Sequence, residues 1–295
     1  MNTSRSVVEI VPTHIVTEGG GFKVRRPFRM GKVMSPFLLI DEMGPVNYGP
    51  GEAVGAPWHP HRGFETVTYL LDGRMRHEDS AGNQGELNPG DVQWMTAGRG
   101  IIHCEEPHEE ILRDGGRTHG FQIWVNLPAS HKMMRPRYQE VPSSESPTVE
   151  KNGVWARVIA GECMGEESAI DTKIPISLIH VKMNSGSRLS QELESGLNGM
   201  IYVFGGEIEI ENETKVKISP VAFGVRTKQQ IKDGELGILS EGDVISIKSK
   251  SDSEFLILAG PELNEPISRY GPFVMNTREE IEQAFIDYRN GNFVG

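Results

Sequence analysis

Apolar and polar residues alternate in short runs along most of the chain, and turn-forming residues separate the runs. Residues 64–71 (FETVTYLL) alternate, contain many β-branched and aromatic side chains, and stop at residues 72–73 (DG), a dipeptide typical of hairpin turns. A polar stretch, 77–88, leads to a turn sequence at 89–91 (PGD), and residues 119–127 alternate again. Short strands at this spacing predict an all-β sandwich or barrel.

The C-terminal stretch is the exception, because its apolar residues recur at helical spacing. Thr277 and Glu280 have the arrangement of a capping box, which begins a helix by bonding two otherwise unpaired backbone groups. Asn290 and Gly291 favour its end. We expect one C-terminal helix whose apolar stripe packs on a barrel; the stripe consists of Ile281, Ala284, Phe285 and Tyr288.

Two pairs of potential metal ligands lie at strand-like positions, His59 with His61 and His103 with Glu105. Strand side chains alternate between faces, so both members of each pair point the same way. Three imidazoles and one carboxylate, without a thiolate, suit Fe, Mn, Co, Ni, Cu or Zn better than a structural zinc cage or a calcium loop. The sequence therefore predicts a transition-metal site.

The identity of the acidic ligand is left open by this alternation. Glu65 has the same parity as His59 and His61, whereas Glu105 has the parity of the second histidine motif. Glu106 is excluded, because it points away from that motif in a regular strand. Both Glu65 and Glu105 stay candidates on parity alone.

Composition and charge narrow the functional classes. The chain of 295 residues has 41 acidic and 30 basic residues, with a formal net charge of −11. An acidic surface repels phosphate backbones, so we expect no direct nucleic-acid binding. No apolar run is long enough for a membrane span and no secretion signal begins the chain, so we expect a protein that is neither membrane-bound nor secreted.

Only two cysteines occur, Cys104 and Cys163, which favours a reducing compartment without disulfides. Cys104 lies between two proposed ligands and has the opposite parity. We expect a small core residue there, with redox sensing as the alternative.

Two short sequences occur twice, which predicts two barrels of one kind. Residues 69–73 (YLLDG) are echoed by 202–206 (YVFGG), and residues 90–92 (GDV) by 242–244 (GDV). Residues 211–241 lie between the second copies of these two sequences. They are polar, and we expect them to form a surface insertion.

The second copy has lost the ligand set. Equal spacing from the echoes puts Glu192 and Glu194 where the first copy has His59 and His61, and Phe255 and Ile257 where it has the second pair. Two acids beside two apolar residues do not make a transition-metal site.

At this point the residues resemble a known family. Residues 57–107 (PWHPHRGF to HCEEP) resemble the core of the pirins, which belong to the cupin superfamily, and residues 271–285 (GPFVMNTREEIEQAF) resemble the pirin C-terminal motif. The similarity extends from about Val24 to Tyr288. The general cupin pattern is met only loosely, since Thr96 stands where it has proline, and pirins show the same departures.

This resemblance implies a bicupin of two antiparallel jelly-roll barrels with a short C-terminal helix. The domains would be residues 1–135, which bind the metal, and residues 136–295, which bind none and end in the helix. In pirins the acid two residues after the second-motif histidine is a ligand. The resemblance therefore assigns the metal to His59, His61, His103 and Glu105.

Glu65 then becomes a candidate partner for the far N–H of a ligand imidazole, or a buried carboxylate paired with an arginine. The resemblance also places a basic segment near the mouth of the metal barrel. That segment is either a site that steers an anionic substrate or acidic partner, or a solvated turn; it contains Lys23, Arg25, Arg26, Arg29 and Lys32.

Function follows from the same resemblance. It implies one Fe(II)/Fe(III) per chain, with other first-row divalent metals as alternatives. It also implies quercetin 2,3-dioxygenase activity on a flavonol-like molecule and O₂, in which Glu105 would act as the base. The alternative is an iron-dependent, redox-sensing nuclear transcriptional co-regulator that binds transcription factors. We expect a monomer in the cytoplasm and nucleus.

Overall fold

Short strands dominate the computed structural model, as the alternation predicts; it describes residues 3–28, 34–212, 217–218 and 229–294. The first strands are β1 Val7–Thr17, β2 Lys23–Pro27, β3 Phe37–Tyr48, β4 Ala56–His61, β5 Phe64–Asp72, β6 Met75–Asp79, β7 Gln84–Leu87, β8 Val92–Thr96, β9 Ile101–Pro107, β10 Gly116–Asn126, β11 Arg137–Val141, β12 Thr148–Lys151 and β13 Val154–Ala160.

The remaining strands are β14 Glu162–Cys163, β15 Glu166–Glu167, β16 Ser177–Met183, β17 Arg188–Glu192, β18 Leu197–Gly205, β19 Glu207–Ile210, β20 Lys217–Ile218, β21 Gln230–Lys232, β22 Glu235–Leu239, β23 Val244–Ser249, β24 Ser253–Pro261, β25 Ser268–Tyr270 and β26 Phe273–Met275. The helices in the described ranges are α1 Glu109–Asp114, α2 Ala129–Lys132 and α3 Arg278–Arg289.

The strands form two compact units, each built from three stretches of chain. We call Ile15–Arg26, Pro36–Ser143 and Leu263–Gly295 the first barrel, and Met1–His14, Pro27–Ser35 and Ser144–Glu262 the second barrel. The contiguous ranges 1–135 and 136–295 stay a sequence-based prediction of the domains. The C-terminal helix lies within the first barrel.

Two sheets build the first barrel. One contains the strands in the order β11-β8-β5-β10-β3-β2, and the other has the order β4-β9-β6-β7. Side chains of the two sheets meet in the interior, where His61 of β4 lies against Trp124 of β10 with ring centroids 5.3 Å apart. Thr66 and Thr68 of β5 face this interior rather than solvent, since they are only 3% and 2% exposed.

The second barrel has the strand order β1-β22-β18-β24-β16-β13-β12 in one sheet and β17-β23-β19-β21 in the other. Its interior is apolar, and Phe255 and Ile257 belong to this core as fully buried residues. The prediction that Glu192 and Glu194 occupy the positions of His59 and His61 is off by one residue. Glu192 and Glu194 are exposed, whereas Gln191 and Leu193 are buried.

The predicted surface insertion at 211–241 is partly wrong. Gln230–Lys232 and Glu235–Leu239 are barrel strands, and Glu235–Leu239 pairs with both β1 and β18. Residues 213–216 and 219–228 lie outside the described residues.

Helix α3 confirms the capping signals. The Thr277 side chain accepts a hydrogen bond from the Glu280 backbone, and the Glu280 side chain accepts one from the Thr277 backbone. Ile281 and Ala284 pack with Phe273, Met275 and Phe293 in a small apolar cluster of the first barrel. Among the described residues, no helix has the length and apolar character that a bilayer crossing requires.

Lys132 holds three parts of the first barrel together. It is 1% exposed, and its Nζ donates hydrogen bonds to Asn126 Oδ1 at 2.6 Å, Gly63 O at 2.7 Å and Val274 O at 3.0 Å. These bonds use all the donors of an ammonium group. Burial lowers the pKa of Lys132 to about 8, so it remains protonated at neutral pH.

We expect Lys132→Met to lower the free energy of unfolding by about 3 kcal/mol, because the substitution leaves three buried acceptors without a donor. Urea denaturation measures the change. Lys151→Met, at an exposed position, is the control and should be nearly neutral. Equal stability of the Lys132→Met and Lys151→Met variants would contradict this role.

Candidate metal centre

The antiparallel pairing of β4 and β9 brings the histidines of the two motifs together. His59 lies directly opposite His103, and His61 lies opposite Ile101. Residues paired across two strands share a face of the sheet, as do residues two apart on one strand. The ligand atoms of His59, His61 and His103 all lie within 4.8 Å of one another. The convergence predicted from the two motifs is therefore present for the imidazoles.

These imidazoles are crowded together, and two of them are buried while His59 is partly exposed. His61 is 4% exposed and His103 is fully buried, and the ring centroids of His59 and His103 are 4.3 Å apart. Burial, reinforced by the neighbouring histidines, holds the pKa values of His61 and His103 well below the usual range. Both rings are consequently neutral at neutral pH, which is the form that coordinates metal ions.

The hydrogen bonds of the rings leave nitrogen atoms available. His59 Nδ1 lies 2.7 Å from Pro57 O, and His61 Nδ1 lies 3.4 Å from Pro272 O. A carbonyl at Nδ1 fixes the tautomer and leaves Nε2 as a metal ligand. Neither ring nitrogen of His103 has a hydrogen-bond partner among the described residues. Since a buried unsatisfied nitrogen costs roughly 1–3 kcal/mol, the donor set fits a bound metal ion.

Glu105 lies beside this group but is not a member of it. It occupies β9 two residues after His103, on the same face, and is 8% exposed. Thr68 Oγ1 donates a hydrogen bond of 2.6 Å to Glu105 Oε1 and lies 3.2 Å from Gln122 Oε1. A carboxylate that accepts this bond is held in one orientation. Its role as the fourth ligand stays a prediction.

The prediction that Glu65 shares a face with His59 and His61 is wrong. Strand β4 ends at His61, and Gly63 adopts a φ of +90°, so the alternation is interrupted before β5 begins. Within β5, Glu65 and Thr68 have opposite parity, and Thr68 is the one that faces Glu105. The Glu65 carboxylate accepts a hydrogen bond of 2.5 Å from Thr96 on the other face of the strand.

Two further polar residues lie next to the histidines and escaped the sequence analysis. Across β6 and β9, His77 pairs with Glu105 and Asp79 pairs with His103. The His77 ring lies 5.3 Å from the His103 ring and stacks on Tyr138 at 5.0 Å. Both occur in a stretch that seemed a polar connection. Their period-two spacing, the same as in the ligand motifs, is the signal that would have found them.

The C-terminal segment anchors the end of β4. Arg62, next to His61, donates a hydrogen bond of 2.6 Å to Asp287 of α3, and its guanidinium lies 4.5 Å from the centre of the Phe293 ring. Val274 N donates to Arg62 O at 3.0 Å. The helix thus acts on the strand that carries two histidines.

A cavity of about 510 Å³ in the first barrel opens beside the histidines. His59, His61 and Glu105 line its inner end. Its other walls are mainly aromatic and aliphatic, and they include Phe22, Leu39, Met43, Tyr48, Trp58 and Trp124. A cavity of this size and lining suits a planar, drug-sized molecule.

Comparison with known proteins settles the family. Residues 21–125 match the Pirin family and residues 178–294 match the Pirin C-terminal cupin domain. Human pirin is 41% identical over an alignment that covers 98% of this chain and 94% of the human protein. The chain belongs to the pirin family. Pirin-like protein 2 of Arabidopsis thaliana is 38% identical, with coverage of 98% and 85%.

A solved structure agrees with this pirin assignment. Quercetin 2,3-dioxygenase from Acinetobacter baumannii superposes with a TM-score of 0.89 at 36% identity, covering 98% of both chains. The resemblance drawn from residues 57–107 and 271–285 is therefore confirmed. The predicted fold is confirmed as well, with two antiparallel cupin barrels of the jelly-roll type and a C-terminal helix.

The two glutamates give a direct test of the ligand assignment. We expect Glu105→Gln to weaken Fe(II) binding by more than the roughly 10- to 100-fold typical of residues that only orient a ligand. Glu65→Gln should leave the dissociation constant within a few-fold, because its carboxylate lies on the other face of β5. Competition with a metal chelator measures both. Loss of metal from Glu65→Gln, with full retention by Glu105→Gln, would show that the general cupin pattern applies.

Proposed function

We propose that the protein is a quercetin 2,3-dioxygenase, which cleaves the flavonol ring with O₂ and releases carbon monoxide at a mononuclear non-haem iron. The observation that carries the proposal is the convergence of His59, His61 and His103, together with the aromatic-walled pocket that His59 and His61 line. Support comes from the likeness to the Acinetobacter baumannii quercetin 2,3-dioxygenase over nearly the whole chain.

His59, His61, His103 and Glu105 would hold the metal, which we take to be iron, one ion per chain. Other first-row divalent metals suit the same nitrogen and oxygen donors. When bound, such an ion would act as a Lewis acid toward a substrate oxygen and would supply the redox chemistry that O₂ requires. The low pKa values of His61 and His103 keep these ligands neutral and ready at neutral pH.

The remaining steps belong to the protein's own side chains. Trp58 presents an aromatic surface that a planar ring system stacks on, and Trp124 lines the same pocket. Leu39 and Met43 contribute apolar wall to the pocket. Glu105, which lines the same end, is positioned by Thr68 to take the proton of the flavonol 3-hydroxyl.

The alternative is an iron-dependent, redox-sensing nuclear transcriptional co-regulator that binds transcription factors. The relation to human pirin keeps this alternative open, and the basic segment is the feature that would favour it. Its arginines are engaged, however: Arg25 binds Glu42 through two hydrogen bonds, and Arg26 binds Asp41. Arg29 and Lys32 of that segment lie outside the described residues.

These pairings leave less free positive charge for an acidic partner, so the enzyme is the better-supported function. We place the protein in the cytoplasm and nucleus as a monomer, without direct binding to nucleic acid.

Oxygen consumption by the Fe(II)-loaded protein tests the proposal. With a panel of flavonols, we expect O₂ uptake matched by carbon monoxide release. His59→Ala should abolish uptake, because it removes a ligand of the metal. The double variant Glu192→Gln/Glu194→Gln should retain metal and activity, since both glutamates are exposed on the second barrel.

Activity that survives His59→Ala would place the chemistry elsewhere. Absence of uptake with every flavonol, in protein that retains one iron per chain, would favour the co-regulator.

A further inference from the structure

Four cationic and three anionic side chains line the first-barrel pocket, although the whole chain has a formal net charge of −11. The charged residues that line the pocket are Lys23, Arg26, Arg74 and Arg269 together with Glu18, Asp41 and Glu105. A local excess of cations in an acidic protein is unexpected from composition, so the pairing of each cation decides what the pocket attracts.

Two of these cations are neutralised by protein carboxylates. Arg26 binds Asp41 through Nε at 2.6 Å and through Nη2 at 2.5 Å, and it also binds Glu18. Arg74 is bound by Glu86 and Glu110. Both guanidinium groups therefore have little charge left to offer a ligand.

Arg269 is different. Among the described residues no carboxylate lies within ion-pair distance of it; Nη1 donates to Leu38 O at 3.3 Å, and its guanidinium carbon lies 4.6 Å from the centre of the Trp124 ring. Lys23 likewise has no carboxylate partner in the described part of the chain. Both residues remain accessible to solvent.

The backbone fixes Arg269 at the pocket. Arg269 lies opposite Val274 in the β25–β26 hairpin, and the same hairpin carries Pro272, whose carbonyl faces His61. Burial and the charge of Arg26 lower the pKa of Arg269, and the nearby carboxylates of Asp41 and Glu18 oppose this only in part, so its charge is incompletely compensated. A ligand with a negative group would compensate it.

We propose that Arg269, assisted by Lys23, is a specificity-determining residue that selects planar aromatic substrates carrying an anionic oxygen. The aromatic frame lies against the apolar walls of the pocket, and its anionic oxygen binds the guanidinium group, which lies on the face of the Trp124 ring. This inference rests on the proposed function for the reaction, but the charge selection itself does not depend on turnover.

Binding to metal-free protein isolates this contribution, because a ligand then cannot be held by chelation. The probes are 2-naphthoate and its neutral analogue 2-naphthamide, measured by isothermal titration calorimetry. We expect 2-naphthoate to bind roughly tenfold more tightly, as one charge-assisted hydrogen bond predicts, with a smaller difference at high salt.

Matched variants assign the preference to Arg269. Arg269→Gln should bring the two dissociation constants close to each other, whereas Arg269→Lys, which keeps the charge, should retain at least about a threefold preference. Lys23→Gln should reduce the preference by less than Arg269→Gln. Arg113→Gln is the control and should leave it unchanged, because Arg113 is paired with Asp114 on α1.

Equal binding of the two probes to the unsubstituted protein, or an undiminished preference in Arg269→Gln, would overturn the inference. A clear preference in a protein that consumes no O₂ with any flavonol would uphold the inference and remove the dioxygenase proposal. Oxygen uptake without a charge preference would uphold the dioxygenase proposal and overturn the inference about Arg269.

Discussion

The register between β4 and β9 is the constraint on which the candidate site depends. It places His59 opposite His103, and the two-residue spacing within β4 then brings His61 to the same face. A slip of one residue would turn each histidine to the other side of its strand. The antiparallel pairing therefore decides whether three imidazoles meet, and the surrounding barrel keeps that pairing in place.

Burying three imidazoles side by side is unfavourable without a metal ion. The low pKa values of His61 and His103 express this cost, because their protonation is opposed both by burial and by the neighbouring rings. The cost is offset locally by the anchor of β4, where Arg62 binds Asp287 of α3 and Lys132 binds Gly63. The C-terminal helix thus contributes to the geometry of a site formed almost entirely by residues far from it in sequence.

The sequence predicted what depends on local pattern, and its errors fall where an irregular residue interrupts the pattern. Alternation and turn residues gave the strands, and the capping pair Thr277 and Glu280 gave the helix. The face of Glu65 was misjudged because Gly63 resets the alternation between two strands. His77 and Asp79 have the same two-residue spacing as the ligand motifs, but only the pairing of β6 with β9 places them beside His103.

The central claim is that three histidine side chains bind one metal ion together with oxygen donors. X-ray absorption spectroscopy of the Fe(II)-loaded protein tests it most directly, since it identifies the atoms around the metal. We expect nitrogen and oxygen neighbours, with the multiple scattering of three imidazole rings and no sulfur. A sulfur neighbour from Cys104, or a spectrum that fits only one imidazole, would contradict it.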